Sequence, residues 1–143
     1  GGRITIGALS LGTAQGAYER AIKYSFEREA FSKPINQFQG VSFKLSDMAV
    51  KIQASKHLVY HAAWKKDQGL NIIKEAAMAK LVATEAGWRV VDRSLQIHGG
   101  YGVTKDFPFE RWLREMRIRR IGEGPNEVQR LIIARDLIGG SFH

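Results

Sequence analysis

The residues with the most chemical promise form the run Gly122-Glu123-Gly124-Pro125. A carboxylate on a glycine-flanked turn at a helix entrance can be lifted from water, which raises its pKa toward general-base use. Its own backbone N–H, and those of the first helical turn, can point at an anion or a developing oxyanion. The same residues also suit an exposed turn acid or a capping group. A second candidate is Gly99-Gly100-Tyr101-Gly102. Its glycines permit positive φ and close backbone approach to a bound group, or simply a tight connection between helices. Arg28, in Phe26-Glu27-Arg28-Glu29, reads by itself as a helix-end cation facing the dipole. The histidines His57, His61, His98 and His143 make no metal set, and the i, i+4 pair His57 and His61 lacks a metalloprotease carboxylate.

The elements that must position these residues are helical. Ile4, Ala8, Leu11, Tyr18 and Ile22 share one face of a first helix predicted from Ile4 to Glu29. Phe31 to Gly40 interrupts it, because Pro34 disfavours the α region at Lys33 and Ser, Asn and Gly fill the rest. Val41, Leu45, Met48, Ile52, Ser55, Val59 and Ala62 alternate in steps of 4 and 3, the spacing of a bundle helix, which ends at Asp67-Gln68-Gly69 with Gly69 as a left-handed cap. A third helix over Ile72 to Ile97 has two apolar faces. One is Ile72, Ala76, Ala79, Ala83, Ala86 and Val90, and the other Ile73, Ala77, Leu81, Thr84, Trp88, Val91 and Leu95. Such a helix lies inside a bundle. A short helix follows Pro108 as far as Arg117, and a last one with Pro125 at its first position runs through Val128, Leu131, Ile132 and Ile138. Asn126 and Glu127 suit the positive end of that last helix. No strand pattern competes. The predicted fold is all-α, an up-and-down four-helix bundle with a short extra helix, in one domain over 1–143.

Composition narrows the function classes. The 143 residues are 44% hydrophobic and 25% charged, which is ordinary for a globular domain. With no cysteine, disulfides, zinc–thiolate sites and a cysteine nucleophile are excluded and a reducing compartment is favoured. No apolar run approaches the ~20 residues of a membrane span. Gly1 and Gly2 precede the amphipathic pattern directly, which reads as a domain boundary and not a natural start. The net charge of +8 suits a solvated basic surface, a polyanionic ligand such as CoA or FAD, or nucleic acid. Arg114, Arg117, Arg119 and Arg120 cluster, yet no zinc-finger or RNA-binding signature accompanies them, so nucleic acid is disfavoured.

Three ordered segments resemble the acyl-CoA dehydrogenase family, in its C-terminal helical domain, over Arg3 to about Ile138. The first is Arg28-Glu29-Ala30-Phe31-Ser32-Lys33-Pro34-Ile35 with Gln37-Phe38-Gln39. The second is Gln96-Ile97-His98-Gly99-Gly100-Tyr101-Gly102 with Asp106-Phe107-Pro108-Phe109-Glu110-Arg111. The third is Ile121-Gly122-Glu123-Gly124 with Asn126-Glu127-Val128-Gln129-Arg130. Members of the family oxidise acyl-CoA thioesters to trans-2-enoyl-CoA. A glutamate takes the pro-R α-proton while the β-hydrogen leaves as hydride to N5 of FAD.

The resemblance implies roles for particular residues. Glu123 occupies the position of the base in straight-chain and short-branched members, while some relatives carry the base on an earlier helix. The thioester oxygen would be held by the glutamate's backbone N–H and a flavin ribityl hydroxyl, which acidifies the α-carbon. Arg28, Phe31 and Gln39 match positions reaching the FAD of a neighbouring subunit, and Gln96, Gly99 and Gly100 lie in the strip contacting FAD across the dimer. Pro125, Asn126 and Glu127 match residues beside the flavin. Gly124 matches a substrate contact, and Arg3 a residue orienting the wall near the base. Shared FAD sites imply a homodimer, usually paired into a homotetramer through this domain, with electron-transferring flavoprotein as the acceptor. No metal is implied.

Two positions depart from the family pattern. Pro125 stands where many relatives have Thr, removing a hydroxyl near the cofactor. Gly122 stands where medium- and short-chain relatives often have Tyr, which would open the pocket to a bulkier or branched acyl group. The family's N-terminal helical and middle β domains are absent from this chain, so by itself it is expected to be inactive. Related readings are an acyl-CoA oxidase, a nitroalkane-type oxidase (whose base is Asp), a DNA-associated relative and a catalytically dead assembly partner. The expected location is a bacterial cytoplasm or a mitochondrial matrix.

Overall fold

The computed structural model describes residues 1–139, so His143 lies outside the described residues. It contains helices α1 (Gly2–Glu27), α2 (Gln39–Asp67), α3 (Ile73–His98), α4 (Phe109–Arg119) and α5 (Asn126–Ile138). The all-α bundle expected from periodicity is what forms. Three long helices and the 13-residue α5 are its struts, and the 11-residue α4 is the short extra helix. Gly69, at φ +71, terminates α2 in the left-handed conformation, as its position predicts. Pro108 and Pro125 each stand one residue before the helix they introduce, as N-caps.

One local expectation needs correction. Two-residue strands β1 (Glu29–Ala30) and β2 (Lys33–Pro34) pair antiparallel, Glu29 with Pro34 and Ala30 with Lys33. Phe31 at φ 53 and Ser32 at φ 69 form the turn. Positive φ at both central residues is the geometry of a type I′ hairpin, which ordinarily selects Gly or Asn. Neither residue advertises it. The hairpin also stops α1 two residues early, because Arg28 is already extended at φ −78, ψ 128.

The buried face of α1 differs from the row of large apolar residues that periodicity selects. Gly7, Ser10, Ala14, Ala17, Ala21 and Ser25 are buried, whereas Ile4, Leu11, Tyr18 and Ile22 flank that line and Ala8 is exposed. The cause is close approach of the neighbouring helices. A Cβ on Gly7 would lie 3.3 Å from Val59 and 3.4 Å from the Ala79 carbonyl. Small residues let two helix backbones approach, and larger side chains then close the groove edges. On α2 the predicted row is correct, with Met48, Ile52, Ser55, Val59 and Ala62 buried.

Helix α3 is the most deeply buried, packed against α1 and α2 and covered further by α4 and α5. Val90 and Val91 join Met48, Ile52, Phe109 and Met116 in the main core. Gly87 is required there. A Cβ on it would lie 2.5 Å from Met116 Cε and 3.2 Å from the Ser10 carbonyl. The basic cluster on and after α4 is dispersed. Arg114 pairs with Glu110 at 3.0 Å, Arg120 pairs with Glu85 at 3.1 Å, and Arg119 donates to the Thr13 hydroxyl at 2.8 Å.

At the C-terminal end of α3, His98 is buried between aromatic rings. Its centroid is 4.2 Å from Tyr24 and 4.3 Å from Phe109, and Nδ1 donates to the Ser94 carbonyl at 2.7 Å. Burial pushes the imidazole below the ordinary histidine value of 6.5, and the bond to Ser94 opposes this only in part.

Two predictions follow from this packing. Gly87→Val should destabilise the domain by about 1–3 kcal/mol through overpacking. Gly12→Ala, where an added Cβ meets nothing within 4 Å, should stabilise by about 0.5–1 kcal/mol. Urea titrations of the two variants measure both. For His98, the unfolded chain binds its proton first on acidification, so stability should decline as the pH falls below 6.5. One proton limits that slope to about 1.4 kcal/mol per pH unit, and His98→Phe should remove this component from a melting series between pH 7 and 5.

Candidate functional site

Helices α1 and α3 run in the same direction with their ends level. At their N-terminal ends Gly1, Gly2 and Arg3 face Ile73, Ala76 and Glu123, while Tyr24 stacks on His98 at the other end. Each end carries a cluster of the sequence-predicted residues. A 26-residue helix is about 39 Å long, so the two clusters cannot touch the same reacting atoms.

The first cluster surrounds Glu123. Its carboxylate rests over Gly2, where an added Cβ would lie 2.7 Å from Oε2. Gly1, Gly2, Arg3, Ile72, Ile73, Ala76 and Glu123 line a cavity of about 310 Å³. Glu123 is exposed in this chain, so the burial expected of a general base is not supplied by these residues. Its backbone is special, with φ +58 followed by Gly124 at φ +91. Only glycine fits at 124, because a Cβ would also lie 2.8 Å from Gln129 Nε2. At Gly122 no such demand exists, since the nearest atom to an added Cβ is the Ile118 carbonyl oxygen at 3.6 Å. Among the described residues, the backbone N–H groups of Glu123 and Gly124 have no hydrogen-bond partner.

Beneath this turn lies a polar network that sequence reasoning missed. Lys80, fully buried on α3, donates to the carbonyls of Arg120 at 3.3 Å and Gly124 at 2.9 Å, and to Asn126 Oδ1 at 2.7 Å. Three oxygen acceptors match the three donors of an ammonium. Burial pushes Lys80 below the usual lysine range, while the charges of Glu85, Glu127 and Glu123 oppose that shift. Asn126 Nδ2 donates to Thr84 Oγ1 and to Glu85 Oε1, both at 2.9 Å. Burial also pushes Glu85 up, but hydrogen bonds from Asn126 and Arg120 and the Arg120 charge outweigh it, leaving a net depression. Gln129 Nε2 donates to the carbonyls of Gly124 at 3.0 Å and Glu123 at 3.3 Å. The available signal was a lysine amid Ala76, Ala77, Ala79, Ala83 and Thr84, on a helix with no solvent face there.

Pro125, Asn126 and Glu127 stand at the α5 entrance as expected, but they diverge in direction. Pro125 and Glu127 are exposed, whereas Asn126 is 2% exposed and its carboxamide is wholly engaged inside.

The second cluster surrounds the α3 C-terminus. Arg28, Tyr24, His98, Gly99, Gly100 and Tyr101 line a cavity of about 480 Å³. Gly99 has φ 62, ψ −139, a region essentially reserved for glycine. A Cβ on either Gly99 or Gly100 would meet nothing within 4 Å, so the strip presents bare backbone to open space. The Arg28 guanidinium sits 6.0 Å from the Tyr101 ring centroid. A cation, an aromatic face and uncovered backbone suit a phosphorylated aromatic ligand. Phe31, 91% exposed at the hairpin tip, stands edge-on to Phe38 with centroids 6.1 Å apart. Gln39 and Gln96 are both exposed, Gln39 as the first residue of α2 and Gln96 in the last turn of α3. Among the described residues no set of three His, Cys, Asp or Glu could hold a metal, and no helix is long and apolar enough to cross a membrane.

Comparison with known proteins places this geometry in a family. The family model for the acyl-CoA dehydrogenase C-terminal domain matches residues 1–138. An acyl-CoA dehydrogenase of Bacillus subtilis is 50% identical over 140 residues, covering 98% of this chain and 37% of the relative. A chain solved in work on the electron transferring flavoprotein of Acidaminococcus fermentans superposes with a TM-score of 0.96 at 46% identity, over 98% of this chain and 37% of that one. Butyryl-CoA dehydrogenase from Megasphaera elsdenii superposes with a TM-score of 0.94 at 43% identity, over 96% of this chain and 36% of that one. The chain therefore spans little more than a third of the length of the relatives it matches. On the family model and these likenesses, it belongs to the acyl-CoA dehydrogenase family and corresponds to the C-terminal helical domain.

Proposed function

We propose that this chain is the C-terminal domain of an FAD-dependent enzyme that dehydrogenates acyl-CoA thioesters to trans-2-enoyl-CoA, with Glu123 as the α-proton base. The observation that carries the reading is the Glu123 turn. A carboxylate edges a cavity, and beside it two backbone N–H groups are left without partners. The carboxylate removes the α-proton, and the free N–H of Glu123 is available to the thioester oxygen as negative charge develops there. FAD bound beside this turn would supply the hydride acceptor for the β-hydrogen, which balances the α-proton taken by the carboxylate. Arg3 lines the same cavity and supplies positive charge to its wall.

The second cluster fits the remote part of FAD on another subunit. Arg28, Phe31 and the Gly99–Gly100 strip lie at the end of α1 away from Glu123, so one subunit's α1 can serve two flavins. Gln39 and Gln96 are the flanking polar contacts, and Gly124, Pro125, Asn126 and Glu127 frame the reacting end. This arrangement requires at least a homodimer. On α2, Phe43, Val50, Tyr60 and Trp64 are each at least 56% exposed, which supports further pairing into a homotetramer. Electron-transferring flavoprotein is the proposed acceptor, in keeping with the context of one solved relative.

Glu123→Gln in the full-length flavoprotein should abolish α-proton exchange of bound acyl-CoA and leave FAD content unchanged; persistent exchange would place the base elsewhere. The room at Gly122 supports a bulkier or branched acyl group. Gly122→Tyr should then lower kcat/KM for branched relative to short linear acyl-CoA by about tenfold or more. A strict preference of the unsubstituted enzyme for short linear chains refutes this specificity.

A further inference from the structure

The left-handed backbone of Glu123 is not self-supporting. A non-glycine residue there is strained and persists only where its surroundings over-determine it. The Glu123 carboxylate makes no hydrogen bond among the described residues, so the hold comes through the backbone of the turn. Two side chains provide it. Gln129 grips the carbonyls of Glu123 and Gly124, and Lys80 grips those of Arg120 and Gly124, on either side of Glu123. Lys80 also fixes the α5 entrance through Asn126 Oδ1, so the start and the end of the turn share one anchor.

Stability alone is a poor reason for that anchor. Among the described residues no carboxylate bonds the ammonium directly, and Glu85 is linked to it through Asn126. Taking an ammonium out of water carries a desolvation penalty, so a buried lysine is a weak stabilising device even when its hydrogen bonds are satisfied. What an apolar residue cannot do is turn two carbonyls inward at once. With those carbonyls held inward, Glu123 lines the cavity and its backbone N–H stays unpaired among the described residues.

We propose that Lys80 is a positioning residue for Glu123, its buried ammonium clamping the carbonyls of Arg120 and Gly124 so that carboxylate and backbone N–H are aimed together at the substrate. The inference rests on Glu123 being the base. Lys80 touches neither substrate nor cofactor, and its effect is on geometry.

The test compares full-length unsubstituted protein with Lys80→Met and Glu123→Gln, reading FAD content, melting temperature, KM, kcat and α-proton exchange of bound acyl-CoA. Lys80→Met should keep its flavin but melt at a lower temperature, because three buried oxygens lose their donor. Its KM should change by less than about threefold, while kcat and the exchange rate fall by about 10- to 100-fold, as for a displaced catalytic group. Lys80→Gln, which keeps an N–H donor without the charge, should fall between the two. Exchange at the unsubstituted rate in Lys80→Met, with Glu123→Gln inactive, overturns the role of Lys80 alone. Exchange surviving in Glu123→Gln overturns the base assignment instead. Parallel loss of flavin, affinity and turnover in Lys80→Met makes the lysine merely structural, and so does failure of both Lys80 variants to fold.

Discussion

The close, parallel contact of α1 with α3 is the constraint on which the rest of this domain depends. It requires small residues where the helices meet, Gly7 beneath the Ala79 carbonyl and Gly87 beneath that of Ser10. Because the two helices start and finish level, their ends become the two places where other elements converge. At one end the turn between α4 and α5 lays Glu123 over Gly2. At the other, the Gly99–Val103 turn and the hairpin after α1 bring Gly99 and Gly100 to Arg28. A shift along α1 would misplace both clusters together.

The polar interior holds the turn that leads into α5. Lys80, Thr84, Asn126 and Gln129 are all buried, and between them they bond the carbonyls that turn the chain into α5. Such a network tolerates little variation, because a half-satisfied buried polar group is worse than none. Its outer edge reaches Glu85 and Arg120, whose ion pair joins the basic cluster near α4 to the α3 surface. Part of the domain's positive charge is therefore structural. Arg119 and Arg120 are engaged at home, and Arg117 stands exposed.

Much of the architecture was legible from periodicity. The 4 and 3 alternation on α2 identified its buried row, and the double apolar face of α3 identified the central helix. Apolar spacing on α1 misled, because the residues that meet α3 are glycine, alanine and serine, and hydrophobicity does not mark a place where backbones approach. The β1–β2 hairpin was illegible for a related reason, since Phe31 and Ser32 adopt positive φ that neither residue type announces.

For the site, the order and spacing of residues determined which groups come forward: Glu123 between glycines at a helix entrance, and Arg28 and Gly99–Gly100 at helix ends. Local sequence determines turns and caps, so these were readable one segment at a time. Tertiary structure alone decided which of them meet. It separated the Arg28 cluster from Glu123 by the length of α1, turned the Asn126 side chain inward, and set Lys80 under a turn 40 to 44 residues away in sequence. Such contacts depend on how helices pack in three dimensions, and a buried lysine has no periodicity of its own to reveal what it will hold.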